Sequence, residues 1–364
     1  MSVAFCKSTA LSILRALRQG DLSVEGRRRH VSLSWPVPPS GKRRTRRKLL
    51  EELPAALRDE LSGSEIDVAT PSDAHRIHAR GVKNVTYVRK MPGSTFVEVG
   101  GGLTLSSPEL VFLEMGADLN VLELALLGME LCGGYVLPAR GDGEVRYGVG
   151  PVTSVDKLAA FLGQMRRHPR IGVARAALRL VRDSCWSPME APLVAFLGEG
   201  PEGLGYGVGD LVVNERVRSE AANARLASKE SRVPDIVVAG TGVGVNYDGA
   251  GHYDIERVAR AALAAAGNAG EKGAWSELEA TKREVRRKYA DDRRRERDLW
   301  ASGMTVFTVT KEDLYEEGAL DLLAGQVIEA LERTSGRDMS SQRAALEDKE
   351  RARRRWGLLR SVLP

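Results

Sequence analysis

Apolar residues recur at helical spacing almost from the first residues. Leu11, Leu14 and Leu17 fall on one face and predict a helix over 8–18. A second helix is expected over 49–57 and a strand over 66–69. Two more strands are expected over 82–88 and 94–99, separated by the turn pair Pro92-Gly93. Ser107-Pro108 is a helix start: a hydroxyl to cap it, and a proline where no N–H is needed. That helix should reach Met115, and another should run over 121–132 and close at Gly133-Gly134. The Gly- and Pro-rich stretch 136–155 reads as a loop, followed by helices over 155–164 and 171–183.

The rhythm then changes. Ser187-Pro188-Met189-Glu190 has the capping-box spacing and opens an apolar helix through Leu197. The glycines of 198–209 mark a loop. Short apolar runs at 211–213, 236–238 and 243–247 predict strands. A long charged helix over 275–301, a strand over 305–309 and an amphipathic helix over 320–331 follow. The order from 187 onward is α-β-β-β-α-β-α. Residues 336–364 are highly charged and read as a helix-prone, partly free tail.

Length turns this pattern into domains. The 364 residues exceed one ordinary domain, and 43% hydrophobic content supplies real cores. The reading is an α/β protein: an N-terminal α/β domain over 1–165, a second domain over 175–335, and a basic tail over 336–364. Three widely spaced cysteines, Cys6, Cys132 and Cys185, give neither a disulfide framework nor a zinc knuckle and fit a reducing, cytoplasmic setting. No run of 18 apolar residues exists, so no membrane partner is expected.

Net charge adds little by its sum. Lys and Arg number 54 against 49 Asp and Glu, a formal +5. Its placement says more: Lys42, Arg43, Arg44, Arg46, Arg47 and Lys48 crowd into seven positions, and the tail adds further basic excess. If nucleic acid binds, these appendages are expected to hold its phosphates. A solvent-exposed linker explains the run equally well. The Gly-rich segments 100–102 and 240–251 match neither a P-loop nor a dinucleotide fingerprint.

Candidate chemistry concentrates at Pro234-Asp235-Ile236-Val237-Val238 and Val243-Gly244-Val245-Asn246-Tyr247-Asp248-Gly249, with His252 beyond. Asp235 opens one strand. Asn246 and Asp248, two apart on its neighbour, share a face. Oxygen ligands from adjacent strands suit a hard divalent ion, Mg2+ or Mn2+, which polarises phosphates and activates water. These residues resemble the PD-(D/E)XK nuclease superfamily, and more closely its very-short-patch-repair-endonuclease-like branch. Asp292, Arg295, Leu299 and Gly303 fit the branch's D-x-x-R-x-x-x-L-x-x-x-G, and Ser187-Pro188-Met189-Glu190 looks like its first acidic helix. The resemblance spans about 185–332. A looser one, through Ser8-Thr9-Ala10-Leu11, the 102–113 stretch and the 187–190 helix start, is to AbiEi-like proteins of abortive-infection (type IV toxin–antitoxin) systems.

The resemblance implies a restriction-endonuclease-like mixed sheet flanked by helices. It also implies a metal-dependent endonuclease acting on DNA. Asp235 and Asp248 would be ligands with Asn246 beside them, Glu190 an auxiliary group, His252 a proton carrier, and Arg295 a phosphate contact. Asn246 stands where these relatives usually carry Glu, and Asp248 stands at the position of the superfamily's lysine, which the close branch commonly lacks. One lost charge at ~4 Å is worth roughly 4 kcal/mol at an effective dielectric of about 20. A second reading follows: a catalytically degenerate nuclease fold, acting as an antitoxin-like regulator that binds nucleic acid or a cognate toxin. Ordinary explanations also stand. Asp235 could be a turn residue, Asp248-Gly249 a hairpin turn, Glu190 the cap of its own helix, and Asp292 and Arg295 a simple i,i+3 pair.

Overall fold

A computed structural model describes residues 3–20, 45–53, 55–88, 91–99, 103–139, 143–218, 231–249, 255–267 and 272–363. The chain is α/β and divides into two compact units, Met1–Ala191 and Pro192–Pro364.

The first unit is built on a five-stranded sheet. Its strands are β1 (Ala4–Phe5), β2 (Ile66–Thr70), β3 (Val82–Thr86), β4 (Phe96–Glu98) and β5 (Thr104–Ser106), in the order β3-β2-β1-β5-β4. The central strand is the shortest. β1 pairs antiparallel to β2 and parallel to β5, and Val3 to Cys6 have no exposed surface. Two residues are too few to carry a period, so pattern reading misses the middle of the sheet. Helices α1 (Lys7–Gln19), α2 (Arg46–Glu52), α3 (Ala55–Leu61), α4 (Pro108–Met115), α5 (Val121–Cys132), α6 (Val155–Gln164) and α7 (Ile171–Leu178) surround it. The single helix expected over 49–57 is two, parted around Pro54. A prolyl nitrogen has no N–H to continue a helix. The expected loop 136–155 holds a small hairpin of β6 (Tyr135–Val136) and β7 (Arg146–Tyr147).

The end of α5 shows how local chemistry decides. Gly133 does not take the left-handed cap; its φ is −106°. It is glycine because a Cβ there would lie 2.5 Å from two carbonyl oxygens, those of Cys185 and Met129. Arg18 serves the exposed carbonyls instead, donating to Glu130 O at 2.8 Å and Gly133 O at 2.9 Å. Deeper in, Glu114 of α4 is buried. Its carboxylate accepts from the Lys7 backbone N–H at 2.9 Å, from Ser106 Oγ at 3.2 Å and from the Tyr87 hydroxyl. Burial pushes its carboxyl up to about 7, against the opposing pull of those donors.

The second unit follows α8 (Glu190–Gly198), within which the division falls. Its sheet holds β8 (Leu211–Val213), β11 (Ile236–Val238), β12 (Val243–Asp248) and β13 (Thr305–Thr310), in the order β13-β12-β11-β8. β11 runs antiparallel to β8 and β12, and β12 runs parallel to β13. Parallel neighbours need a crossover, here α9 (Ile255–Gly267) and the 30-residue α10 (Lys272–Ala301). A short hairpin, β9 (Val217–Arg218) with β10 (Ser231–Arg232), lies between β8 and β11 in sequence. After β13 come α11 (Lys311–Tyr315), α12 (Ala319–Ser335), α13 (Ser340–Glu347) and α14 (Lys349–Val362), with α12 packed on β12 and β13.

The tail is therefore folded. Arg355 of α14 is 2% exposed: it donates to Leu204 O at 2.9 Å, lies 4.7 Å over the Tyr206 ring and pairs with Asp321. The helix-prone reading of 336–364 holds in α13 and α14, and the partly free one does not, because one cation of that run is a core residue.

Candidate functional site

The site builds up from a strand start. Asp235 immediately precedes β11, and antiparallel pairing with β12 sets Asn246 and Tyr247 against it. Its backbone N–H donates to Asn246 Oδ1 at 3.0 Å, and its Oδ2 accepts the Tyr247 N–H at 2.7 Å. Both Asp235 and Asn246 are 7% exposed. The two polar residues therefore close a local hydrogen-bonded ring across the strand pair.

A cation stands at the centre of that ring. Arg295 reaches down from α10, and its Nη2 lies 2.9 Å from Asp235 Oδ1 and 3.2 Å from Asn246 Oδ1, also donating to Val233 O. A second, opposite pair lies nearby. Arg232 on β10 ion-pairs Asp298 of α10 at 2.7 Å and reaches Asp291 at 3.7 Å. Strand-side aspartate to helix arginine, and strand-side arginine to helix aspartate, together fix the turn of α10 that faces the strands.

This geometry explains the D-x-x-R-x-x-x-L-x-x-x-G spacing in fold terms. Arg295 is the clamp. Leu299, one turn on, is 2% exposed and packs into the core. Gly303 takes a left-handed backbone, φ +79°, so Met304 N–H returns to Leu299 O at 3.1 Å and Gly303 N–H to Trp300 O at 2.9 Å. Those two bonds are the Schellman ending of a helix.

The remaining sequence-predicted residues fall as follows. Asp248 ends β12 opposite Thr310 of β13. It is not the corner of a hairpin, because the strand's next partner is parallel. Asn246, Tyr247, Asp248, Asp292, Arg295, Glu296 and Thr308 line a small cavity of about 30 Å³, enough for one water. Glu190 belongs to the first unit. Its own N–H donates to Ser187 Oγ at 3.1 Å, the serine half of the cap anticipated from Ser187-x-x-Glu190, while its carboxylate accepts Trp186 N–H at 3.0 Å, one residue before the N–H a capping box would use. Arg46 is also spent internally, donating to the carbonyls of Leu61, Ser62 and Ser64 at the end of α3. Arg47 pairs with Glu51 at 2.9 Å, and Lys48 is exposed. His252, Lys42, Arg43 and Arg44 lie outside the described residues.

The donor set does not fit a divalent ion shared by Asp235 and Asn246. Both Oδ1 atoms face the guanidinium, and the other Asp235 oxygen holds a backbone N–H. A doubly charged ion about 4 Å from that guanidinium would be repelled by roughly 8 kcal/mol at an effective dielectric of about 20. Among the described residues, no three His, Cys, Asp or Glu side chains gather in a metal-holding group.

What sequence reading missed is the partner choice of Arg295. It is placed among phosphate contacts or paired with Asp292, whereas it serves Asp235, 60 residues away. The available signal was polarity: an arginine one turn before a core leucine points inward and needs an acid there. Compared with known proteins, the chain matches no family model, no curated protein and no solved structure.

Proposed function

We propose that the second unit is a restriction-endonuclease-like scaffold in which an arginine replaces the catalytic cation. The protein then works as a nucleic-acid-binding regulator of the antitoxin-like kind and not as a hydrolase. One observation carries this: Arg295 Nη2 bridges Asp235 and Asn246, at 2.9 and 3.2 Å. Two features support the scaffold: the α-β-β-β-α-β-α order, kept by the sheet's strands once the β9–β10 hairpin and the additional helices α9 and α11 are set aside, and the β13-β12-β11-β8 sheet with its single parallel pair. Asn246, neutral where the resembled branch carries Glu, removes a negative charge that would favour a divalent ion over the guanidinium.

The hydrolase reading draws on a different observation, the small cavity with Asp248, Asp292 and Glu296 in its wall. In that reading Mg2+ or Mn2+ would sit there and His252 would carry the proton. Incubation of the purified protein with supercoiled DNA and millimolar Mn2+ separates the two. We expect no cleavage by the native chain, and nicking to emerge only in the N246E/R295A double variant. Cleavage by the native chain that Asp235→Ala abolishes would overturn the regulator reading.

A further inference from the structure

The outward face of α10 carries a row of arginines that the fold does not use. Arg283, Arg286, Arg287, Arg294 and Arg297 are all exposed. At 3.6 residues per turn they fall within an arc of about 100° over about 21 Å of helix, with one gap at Ala290. This is the i, i+3, i+4, i+11, i+14 spacing by which an amphipathic helix aligns its leucines, written in arginine. The buried side is elsewhere: Leu278, Thr281, Asp298 and Leu299 are each at most 5% exposed. Glu284, Asp291, Asp292 and Glu296 also fall outside the arc; Glu279, one turn before Arg283, falls on it, pairs with Lys282 and feels the charges of Arg283 and Arg286. None of the five arginines forms an ion pair among the described residues.

A second feature runs beside this row. Trp275, Tyr289 and Trp300 are 50%, 46% and 79% exposed, and all three lie along one flank of the stripe. Tyr289 already carries Arg293 5.3 Å over its ring, which leaves the two tryptophans. Large exposed aromatics next to an exposed arginine row are the ingredients by which proteins hold unpaired nucleic acid. The guanidinium donors track phosphates and the aromatic faces take bases.

We infer that this face of α10 is a binding track for a single nucleic-acid strand, with phosphates on the five arginines and bases on Trp300 and Trp275. The inference rests on the nucleic-acid-binding reading above and names its surface. It moves the contact away from the basic run at 42–48, where Arg46 is already engaged. An acidic protein surface is the competing occupant. Evenly spaced charge over about 21 Å with aromatics at one side favours a regular polyanion that carries stacking groups.

Fluorescence anisotropy with the full-length chain tests this, using labelled oligothymidylate, the matching duplex and polyglutamate over a range of salt. Five strand phosphates predict a slope of log K on log salt of about −3.5, or roughly a hundredfold loss between about 50 and 200 mM. The triple variant R286Q/R287Q/R294Q should shrink that slope by about 2. Trp300→Ala should weaken strand binding about tenfold without changing the slope. R353Q/R354Q, two exposed arginines of α14, should leave both readings as they are. All these positions are exposed, so circular dichroism should report an unchanged fold. An unchanged slope in the triple variant would overturn the inference while leaving the regulator reading intact. So would polyglutamate binding as tight as the strand's, or strand binding indifferent to Trp300→Ala. Failure of the native chain to bind any nucleic acid would overturn both.

Discussion

Each unit buries more than one carboxylate, and one from each, Glu114 and Asp235, are handled in opposite ways. In the first, Glu114 is met only by neutral donors: a backbone N–H, a serine hydroxyl and a tyrosine hydroxyl. In the second, Asp235 is met by a guanidinium and a backbone N–H. Neutral donors do not offset full burial, so Glu114 keeps its proton up to about pH 7. The first carboxylate is a latent proton site, and the second is half of a structural pin. Burial alone therefore does not identify a working acid. The charge of the group that faces it decides what it can do.

The largest effect should come from breaking the pin. Asp235→Ala leaves Arg295 part-buried against Val233 O and Asn246 with no counter-charge. Loss of one partner of a buried pair costs about 3–5 kcal/mol, and the partial exposure of Arg295 places this at the lower end. Hydrogen exchange should show faster opening of β11, β12 and the C-terminal half of α10, while β1, β2 and β5 stay protected. Uniform loosening of both units, or none, would mean that the pair does not hold the second sheet.

The next effect is one of pH, and it belongs to the first unit. Below about 4.5 the folded and unfolded chains both hold the Glu114 proton; between 4.5 and about 7 only the folded chain does. Because the folded state then binds more protons, its stability falls as pH rises through that window and levels off above about 7. The total is about 3 kcal/mol. Glu114→Gln should remove this slope, since the amide can donate to the hydroxyls of Tyr87 and Ser106 as a protonated acid does. At pH 8 the variant should equal or exceed the native chain by up to about 3 kcal/mol. Asp235→Asn, the same chemical change in the other unit, should destabilise at that pH. If both amide substitutions acted in the same direction, the contrast between neutral and cationic partners would be wrong.

How much of this was legible in the sequence depended on the range of the interactions. The spans of α4, α5 and α6 were readable to the residue: Ser107-Pro108 marks one start and Gly133-Gly134 one stop, and the structure adds side-chain caps at Asn120 and Ser154 that hold the other two starts. The four strands of the second sheet were readable because each is a short run of β-branched residues between breakers. β1 was not, since Ala4 and Phe5 have no pattern until β2 and β5 close over them. α9 was missed although its alanines favour helix, because few large apolar residues mark a face. At the site, the gathering of Asp235 and Asn246 followed from strand alternation. The engagement of Arg295 did not, because helix and strand are brought together by a crossover that spacing cannot place.

The smallest expected effect is a control on the whole comparison. Each unit also contains a reciprocal capping box with no buried charge: Asn120 with Glu123 at α5, and Thr310 with Asp313 at α11. Asn120→Ala removes one side-chain acceptor from a helix start, Thr310→Ala removes one acceptor together with the hydroxyl's bond to Asp313 Oδ2 at 2.9 Å, and each should cost about 1 kcal/mol in urea unfolding. Neither should depend on pH between about 6 and 8, since the caps removed are neutral. Equal losses would show that the two units respond alike to an ordinary local defect. The divergent responses at Glu114 and Asp235 would then belong to what faces each carboxylate and not to a difference in the stability of the units. Unequal losses would show that a fragile unit exaggerates any substitution, and the Asp235→Ala result would have to be scaled by the same ratio before it measured the Arg295 pair.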